Sequence, residues 1–300
     1  MKRIIITMIM VCSFTSLISQ NSILIKGIYN LELKNNIFYS EYINDDSGEF
    51  LEQRLLMMNL DTKRKDTLIY NTFYIDVCNY SDNEIVMTDG NIVSFYNIDS
   101  KEKTNLYSQF DEDMAILDVI TNEKDIYFFV QDYNNYEVLF YKILSNNKIS
   151  LLHSFKYAEL ESPGLLTFGD KDYIYILVKG DIYSYNLKTK KVNKLTNEYV
   201  YTFNLMNDTI FYISSIGDKE YLKSISLNNL KEDIIIKDIK YYHPDRFFKF
   251  NNTLYIHNAI GKQNYKINNQ ELVPITKIPL MNNDQYLISF IKDNYFEITW

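Results

Sequence analysis

Short apolar runs separated by polar turns recur along the whole chain. Two of these runs, residues 126–130 and 173–178, are apolar at every position, which predicts strands that are buried on both faces. The runs are rich in isoleucine, valine, tyrosine and phenylalanine, which favour strands, and proline is rare, with 4 in the chain. The pattern therefore predicts an all-β protein.

A polar turn followed by an aliphatic or aromatic strand recurs seven times. The mean step between these units is about 43 residues, which is the length of a four-stranded β-propeller blade. The first strand residues after the seven turns are Ile37, Ile85, Ile126, Ile174, Ile210, Leu254 and Tyr295.

Each of the first six units continues with a strand that ends in an aliphatic residue, then a polar turn and a further strand. This predicts four strands per blade, labelled A to D from the inside of the ring outwards. Only one strand follows Tyr295, so we expect the N-terminal strand around residues 22–26 to pair with it and complete the last sheet. The prediction is a β-propeller of seven four-stranded blades, or of six if the last unit packs differently.

Glycine is scarce for a chain with so many turns, with 8 in 300 residues. Asparagine and aspartate occupy most of the predicted turns instead. Both residues tolerate left-handed backbone and hydrogen-bond their own chain. We therefore expect them to replace glycine at the turns.

The repeat unit is clearest from Lys171 to Thr196, where an Ile-Tyr strand, an Ile-Tyr-x-Tyr-Asn-Leu strand, a basic turn and Lys-Leu-Thr follow one another. This unit resembles the repeats of TolB-like propellers and of related bacterial exported β-propellers. The resemblance extends from Ile37 to about Trp300 and implies the propeller fold. The partner-docking N-terminal domain of TolB has no counterpart here, so its partners are not implied.

The first nineteen residues have the three parts of a secretory signal peptide: a charged start at Lys2 and Arg3, an apolar stretch over residues 4–11, and small residues up to Ser19. We predict a signal peptide at residues 1–19 and a single β-propeller domain at residues 20–300. The protein is then extracytoplasmic, in the periplasm, at the cell surface or secreted. Lipidation at Cys12 is an alternative, although Val11 is larger than the residue that usually precedes a lipidated cysteine.

The formal net charge is −8, and removal of Lys2 and Arg3 makes it more negative. Nucleic acids and anionic membranes are therefore not expected as partners. No segment after the signal peptide predicts a transmembrane helix, and a closed ring predicts a monomer. Cys78 is then the only cysteine left, so we expect a buried and unreactive thiol.

No sequence motif specifies a reaction. There is no nucleophile elbow and no phosphate-binding loop. His153, His243 and His257 lack the spacing of metal ligands, so neither a metal nor a cofactor is expected.

In a propeller, the connections from strand D to strand A and from strand B to strand C share one face, here called the loop face. In this chain these connections are acidic and rich in tyrosine, a combination that suits a glycan, a peptide or a protein partner. The leading hypothesis is a non-enzymatic binding module. Its candidate binding residues are Tyr133, Tyr199, Tyr242, His243 and Arg246.

The alternative hypothesis is a carbohydrate-active hydrolase or lyase. Asp76, Asp118 and Arg246 each lie eight or nine residues before the start of a second strand, which predicts that all three belong to inner strands. Asp76 and Asp118, from neighbouring blades, are therefore the candidate catalytic residues. They could act as general acid and base on a glycosidic bond, or hold a cation.

Overall fold

The computed structural model describes residues 22–26, 28–44, 50–72, 75–108, 111–145, 147–158, 164–237, 239, 244–258, 262–268, 271–282, 285–292 and 295–299. The predicted signal peptide, with Cys12, lies outside the described residues. The described residues form seven antiparallel sheets of four strands each, which confirms the seven-bladed β-propeller. Inner strands that follow one another along the chain contact one another, from the first blade to the seventh.

The first four blades follow chain order from strand A to strand D. Blade 1 consists of β2 (Ile28–Leu33), β3 (Asn36–Asn44), β4 (Phe50–Asn59) and β5 (Lys65–Thr72). Blade 2 consists of β6 (Asp76–Ser81), β7 (Glu84–Thr88), β8 (Ile92–Asn97) and β9 (Lys103–Ser108). Blade 3 consists of β10 (Met114–Asn122), β11 (Asp125–Asp132), β12 (Glu137–Ile143) and β13 (Ile149–Lys156). Blade 4 consists of β14 (Leu166–Asp170), β15 (Tyr173–Val178), β16 (Asp181–Asn186) and β17 (Val192–Lys194).

The remaining blades follow the same order, except that the last takes its outer strand from the start of the chain. Blade 5 consists of β18 (Tyr199–Met206), β19 (Thr209–Ile216), β20 (Lys219–Ser226) and β21 (Glu232–Lys237). Blade 6 consists of β22 (Pro244–Phe250), β23 (Thr253–Asn258), β24 (Gln263–Asn268) and β25 (Glu271–Ile275). Blade 7 consists of β26 (Ile278–Asn282), β27 (Leu287–Lys292), β28 (Tyr295–Thr299) and β1 (Ser22–Lys26).

The ring closes within blade 7, as predicted. β1 pairs with β28 in antiparallel register, with Ile25 opposite Phe296 and Ile23 opposite Ile298. The ring of Phe296 meets that of Tyr39 in blade 1 edge to face, with centroids 5.6 Å apart. The two ends of the chain are thus tied by backbone hydrogen bonds and by a shared core.

The assignment of the seventh unit was wrong by one strand. The polar turn before Tyr295 separates β27 from β28, which are strands B and C, rather than strands A and B. Strand B of blade 7 is Leu287–Lys292. A polar turn followed by an apolar strand occurs at every hairpin of a blade, so the motif by itself does not identify which hairpin it marks.

The hydrophobic core is divided among the interfaces between blades. Among the described residues, each of the seven interfaces has its own cluster of buried side chains. Residues 126–130 and 174–178 are buried throughout, because their sheets are covered by a neighbouring blade on each face. This explains the continuous apolar runs in the sequence.

The expectation for the turns was correct only in part. Asn35 and Asn207 do adopt positive φ in turns between strands A and B, but no described aspartate does. In three turns between strands C and D the left-handed residue is a lysine: Lys63, Lys101 and Lys190. In those turns the asparagine side chain instead accepts backbone hydrogen bonds, as Asn186 Oδ1 does from the N–H groups of Lys188 and Thr189.

Candidate functional site

The loop face carries a pair of exposed tyrosines on blade 5. Tyr199 and Tyr201, here called the tyrosine pair, stand at the beginning of inner strand β18 and are 57% and 48% exposed. Their rings meet edge to face, with centroids 5.2 Å apart and planes at 70°. Large aromatic side chains that are solvent-exposed and packed against each other are typical of binding surfaces.

Tyr199 is held against the neighbouring blade. Its ring covers Gly180, in the turn between strands B and C of blade 4, and a Cβ atom at Gly180 would lie 2.4 Å from the Tyr199 Cδ2 atom. Gly180 also has a φ of +79°, which favours glycine. The N–H of Val200 donates to the Gly180 carbonyl at 2.8 Å. The position of Tyr199 therefore depends on a glycine in the preceding blade.

Glu198, the residue before the tyrosine pair, belongs to a cluster of polar and charged side chains. This cluster, here called the lysine network, consists of Glu198, Tyr212, Ser214, Lys223 and Glu232. Lys223 is almost fully buried, and its ammonium group lies 2.6 Å from Glu198 Oε1 and 2.9 Å from Glu232 Oε1. The Tyr212 hydroxyl donates to Glu232 Oε2 at 2.7 Å and lies 3.1 Å from Glu198 Oε1, and the Ser214 hydroxyl donates to Glu198 at 3.2 Å. The network thus anchors the backbone from which Tyr199 projects.

The ionic state of the network follows from its contacts. Burial acts to lower the pKa of Lys223, but hydrogen bonds and charges from Glu198 and Glu232 outweigh it and raise that pKa. Burial acts to raise the pKa of Glu232, and hydrogen bonds from Lys223 and Tyr212 outweigh it and lower that pKa. Burial and the two glutamates raise the pKa of Tyr212. At neutral pH the network therefore holds one cation between two anions.

The inner strands of blades 2 and 3 bring Asp76 and Asp118 together. These two residues, here called the carboxyl pair, are partly buried and hydrogen-bonded to each other through their side chains. The N–H of Val119 donates to Asp76 Oδ2 at 2.9 Å, and the Thr167 hydroxyl, from blade 4, donates to Asp118 Oδ2 at 2.7 Å. The pair therefore links three adjacent inner strands, as their predicted placement allows.

A hydrogen bond between two carboxyl groups requires a proton. Burial raises the pKa of Asp118 well above its ordinary value, and the charge of Asp76 and the hydrogen bond to it raise that pKa further. In retaining glycosidases the two carboxyl groups stand about 5 Å apart, and in inverting enzymes farther. Carboxyl groups in hydrogen-bond contact are closer than either spacing, so the contact favours proton sharing over attack on a glycosidic bond from two sides.

Cys78 lies beside the carboxyl pair in β6. Burial, and next the negative charge of Asp76, raise the pKa of its thiol well above the ordinary value. The thiol is therefore protonated near neutral pH and is a poor nucleophile.

Of the other predicted binding residues, only Tyr133 has a described side chain. Tyr133 follows β11 in blade 3, where it is 38% exposed and its N–H donates to the Asp113 carbonyl at 2.9 Å. Arg246 lies in inner strand β22, as predicted, opposite His257, but its side chain lies outside the described residues, as do Tyr242 and His243. The tyrosine pair thus includes one predicted residue, Tyr199.

Sequence reasoning missed Tyr201, Gly180 and the lysine network. Tyr201 is the bulged residue of β18, because the pairing with β19 shifts between Val200 and Thr202. A bulge redirects a side chain without any clear sequence pattern. The alternation Tyr199-x-Tyr201 was the available indication that both tyrosines share a surface.

His257 has a structural position rather than a surface one. It is 1% exposed, and its Nδ1 atom lies 2.8 Å from Asn264 Oδ1. The Asn264 amide donates to the carbonyls of Thr276 and Ile291 in the direction of blade 7. Because that amide group is a donor at both carbonyls, its oxygen accepts from His257, and the histidine helps to join blades 6 and 7.

A cleft of 260 Å³ lies on the opposite face, between blades 3 and 4. Four of its charged groups form ion pairs: Lys142 with Asp125 at 2.6 Å, and Lys188 with Asp172 at 2.7 Å. The described residues contain no helix that could cross a membrane. They also contain no group of three or more histidine, cysteine, aspartate or glutamate side chains placed to hold a metal ion.

No family model matches the sequence, and no curated protein matches it. Solved structures do resemble the fold. A chain of the mitotic checkpoint complex is 10% identical, with a TM-score of 0.59 over 91% of this chain and 88% of that one. Sqt1 from Saccharomyces cerevisiae is 10% identical, with a TM-score of 0.55 over 93% and 98% of the two chains.

A putative 6-phosphogluconolactonase from Bacteroides fragilis is also similar, at 11% identity and a TM-score of 0.54 over 92% of this chain and 86% of that one. At such identities the likeness shows the β-propeller fold alone. The fold is consistent with an interaction module. Because a putative enzyme and a component of a protein complex are equally similar, the fold does not determine the function.

Proposed function

We propose that this protein is an exported, non-enzymatic β-propeller that binds a glycan, peptide or protein partner through its loop face. The observation that carries the proposal is the tyrosine pair, in which two large aromatic side chains are about half exposed. Single exposed apolar residues are common on protein surfaces, but two exposed aromatic rings in contact form a patch, and tyrosine is enriched where proteins bind ligands.

The tyrosine pair is also held in place before any ligand arrives. Tyr199 rests on Gly180, Val200 is hydrogen-bonded to the same glycine, and Glu198 is bound by Lys223. A side chain that is already ordered loses little conformational entropy on binding. Rigid aromatic groups of this kind can therefore contribute most of their contact energy to affinity.

Export is part of the proposal and rests on the signal peptide predicted at residues 1–19. The negative net charge of −8 argues against nucleic acid and anionic membranes as partners. The proposed location is extracytoplasmic.

A carbohydrate-active hydrolase or lyase is the second candidate, since Asp76 and Asp118 do meet between neighbouring inner strands. They contact each other through a side-chain hydrogen bond, which is closer than the spacing of paired glycosidase carboxyl groups. The carboxyl pair therefore supports the enzyme less well than the tyrosine pair supports the binding module.

The test is a glycan and peptide array probed with the mature chain, residues 20–300, and with a double variant, Tyr199→Ala and Tyr201→Ala. We expect wild type to bind a ligand and the double variant to lose at least about tenfold in affinity. Tyr70→Ala is the matched control, because Tyr70 is 67% exposed on outer strand β5.

Unchanged binding by the double variant would contradict the proposed site. Hydrolysis of an array glycan by wild type, abolished by Asp118→Asn, would favour the enzyme instead.

A further inference from the structure

The cleft between blades 3 and 4 is a concave surface on the face opposite the loop face. It is lined by the turns between strands A and B of both blades and by the turn between strands C and D of blade 4. Its volume of 260 Å³ is below the range of about 300–1,000 Å³ that is usual for drug-sized ligands. The cleft therefore has room for a small molecule.

Hydrogen bonds between the turns hold the walls of the cleft in place. The side-chain amide of Asn122 in blade 3 donates to the Asp170 carbonyl in blade 4 at 2.9 Å. The Leu187 N–H donates to the Asp172 carbonyl at 2.9 Å, which joins the two turns of blade 4. A site that is ordered before its ligand arrives loses little conformational entropy on binding.

The inner end of the cleft is formed by Tyr127, which is 3% exposed. Its hydroxyl donates to Asp125 Oδ2 at 3.2 Å. Lys142 Nζ lies 2.6 Å from the same oxygen and 5.6 Å from the centroid of the Tyr127 ring. These three groups satisfy one another, so they shape the cleft and leave the recognition of a charged ligand to other residues.

Two further lining residues carry charges that are not neutralised by an ion pair. Among the described residues, Glu123 of blade 3 and Lys171 of blade 4 form no salt bridge, and both are exposed. The hydrogen bond to Asp172 raises the pKa of Lys188 in blade 4, and the charge of Glu123 raises that pKa further. The Glu123 carboxylate thus acts across the cleft on the opposite wall.

Unpaired charges of opposite sign favour a ligand that carries both charges. The lining contains three lysines and three acidic residues. A ligand with a single charge is attracted by one half of this lining and repelled by the other half. A zwitterion can instead place its carboxylate at Lys171 and its ammonium group at Glu123, while Leu187 and Tyr127 offer apolar surface to the rest of the molecule.

We infer that the cleft between blades 3 and 4 binds a free α-amino acid, whose carboxylate contacts Lys171 and whose ammonium group contacts Glu123. This site goes beyond the proposed function, because it uses neither the tyrosine pair nor the loop face. Either proposal can therefore fail without the other.

The experiment screens the protein amino acids against the mature chain by saturation-transfer NMR. The strongest binder is then titrated calorimetrically, together with its N-acetyl and its amide derivative, each of which lacks one of the two charges. We expect the free amino acid to bind about fivefold more tightly than either derivative, because each derivative loses one exposed charge contact.

Variants of the two unpaired residues test the assigned contacts. Glu123→Gln and Lys171→Met should each weaken binding about fivefold. Lys190→Met is the matched control and should bind as wild type does, because Lys190 is exposed in the same turn as Lys188 but does not line the cleft. Glu123→Lys should abolish binding, and the further change Lys171→Glu should restore part of it, because a zwitterion can bind in the reverse orientation.

Three results would overturn the inference: no amino acid binds, the singly charged derivatives bind as tightly as the amino acid, or binding is unchanged in both Glu123→Gln and Lys171→Met. Circular dichroism melts of each variant verify that it is folded. The same variants should retain any binding to the glycan and peptide array, so the outcome at the cleft is independent of the outcome at the loop face.

Discussion

The carboxyl pair and the lysine network both join elements of the ring through buried polar groups, but their charges are arranged in opposite ways. The carboxyl pair sets two acids side by side with only a proton between them. The lysine network sets one ammonium group between two carboxylates. The first depends on an acid remaining protonated and the second on all its ions remaining charged.

The two clusters therefore respond to pH in opposite directions. The pKa of Asp118 is raised on folding, so the stability that it contributes is complete below the ordinary aspartate pKa and is lost as pH rises through the raised value. The pKa of Glu232 is lowered, so its contribution is present above the ordinary glutamate pKa and is lost as pH falls through the lowered value. The contribution of Asp118 therefore falls as pH rises, whereas that of Glu232 falls as pH decreases.

The largest predicted effect comes from removing the cation of the lysine network. Lys223→Met leaves the partly buried Glu198 and the exposed Glu232 close together and without a counter-ion. We expect the free energy of unfolding to fall by about 2–3 kcal/mol, because the exposed carboxylate remains solvated, measured by urea denaturation at pH 7. Lys231→Met is the control, because its partner Asp233 and Lys231 itself are both exposed, and such a pair contributes less than about 1 kcal/mol.

A loss for Lys223→Met as small as that of its control would show that the buried network is not a stabilising link in blade 5.

The second prediction concerns the pH dependence of the carboxyl pair. Asp118→Asn keeps the shape of the side chain and replaces the shared proton with amide hydrogens that do not titrate. In wild type the shared proton makes the free energy of unfolding decrease as pH rises above the ordinary aspartate pKa. The decrease is at most about 1.4 kcal/mol per pH unit. We expect Asp118→Asn to lose that part of the slope in urea titrations from pH 5 to about pH 8.

Asp82→Asn, in an exposed turn of blade 2, should retain the wild-type slope. If Asp118→Asn retained it as well, the two carboxyl groups would not share a proton.

The smallest predicted effects compare one hydroxyl in each cluster. Tyr212→Phe removes the hydroxyl that contacts two carboxylates and should cost about 2 kcal/mol, because hydrogen bonds to charged groups are the stronger kind. Thr167→Val removes one donor to Asp118 and should cost about 1 kcal/mol, because a protonated carboxyl group is a weaker acceptor than a carboxylate. Thermal unfolding at pH 6 measures both, and the reverse order would contradict the difference in charge between the clusters.

The fold was predictable because each blade repeats the same local pattern of polar turns and apolar strands. Turns and apolar strands indicated the blades, and counting from the turns placed Asp76, Asp118 and Arg246 on inner strands, where they lie. The same motif misplaced the strand that starts at Tyr295, since a hairpin looks alike wherever it occurs in a blade.

The candidate site was predictable only in part. Tyr199 was identified from its loop, but its neighbour Tyr201 stands on a bulge that pairing with β19 creates. Lys223 and Glu198 are separated by 25 residues and meet only because strands of one blade lie side by side. No sequence pattern around Lys223 or Glu198 predicts that these two side chains form an ion pair.

The sequence by itself determined the all-β class and the repeat of four-stranded blades, and it favoured seven blades with the ring closed by the N-terminal strand. These features follow from hydrophobic period and turn residues, which act between residues close in the chain. Tertiary structure alone decided that Asp76 and Asp118 share a hydrogen bond, that Gly180 carries the ring of Tyr199, and that Lys223 is neutralised by two glutamates. Those contacts depend on how side chains from different strands and blades meet within a few ångströms, and no local pattern encodes such distances.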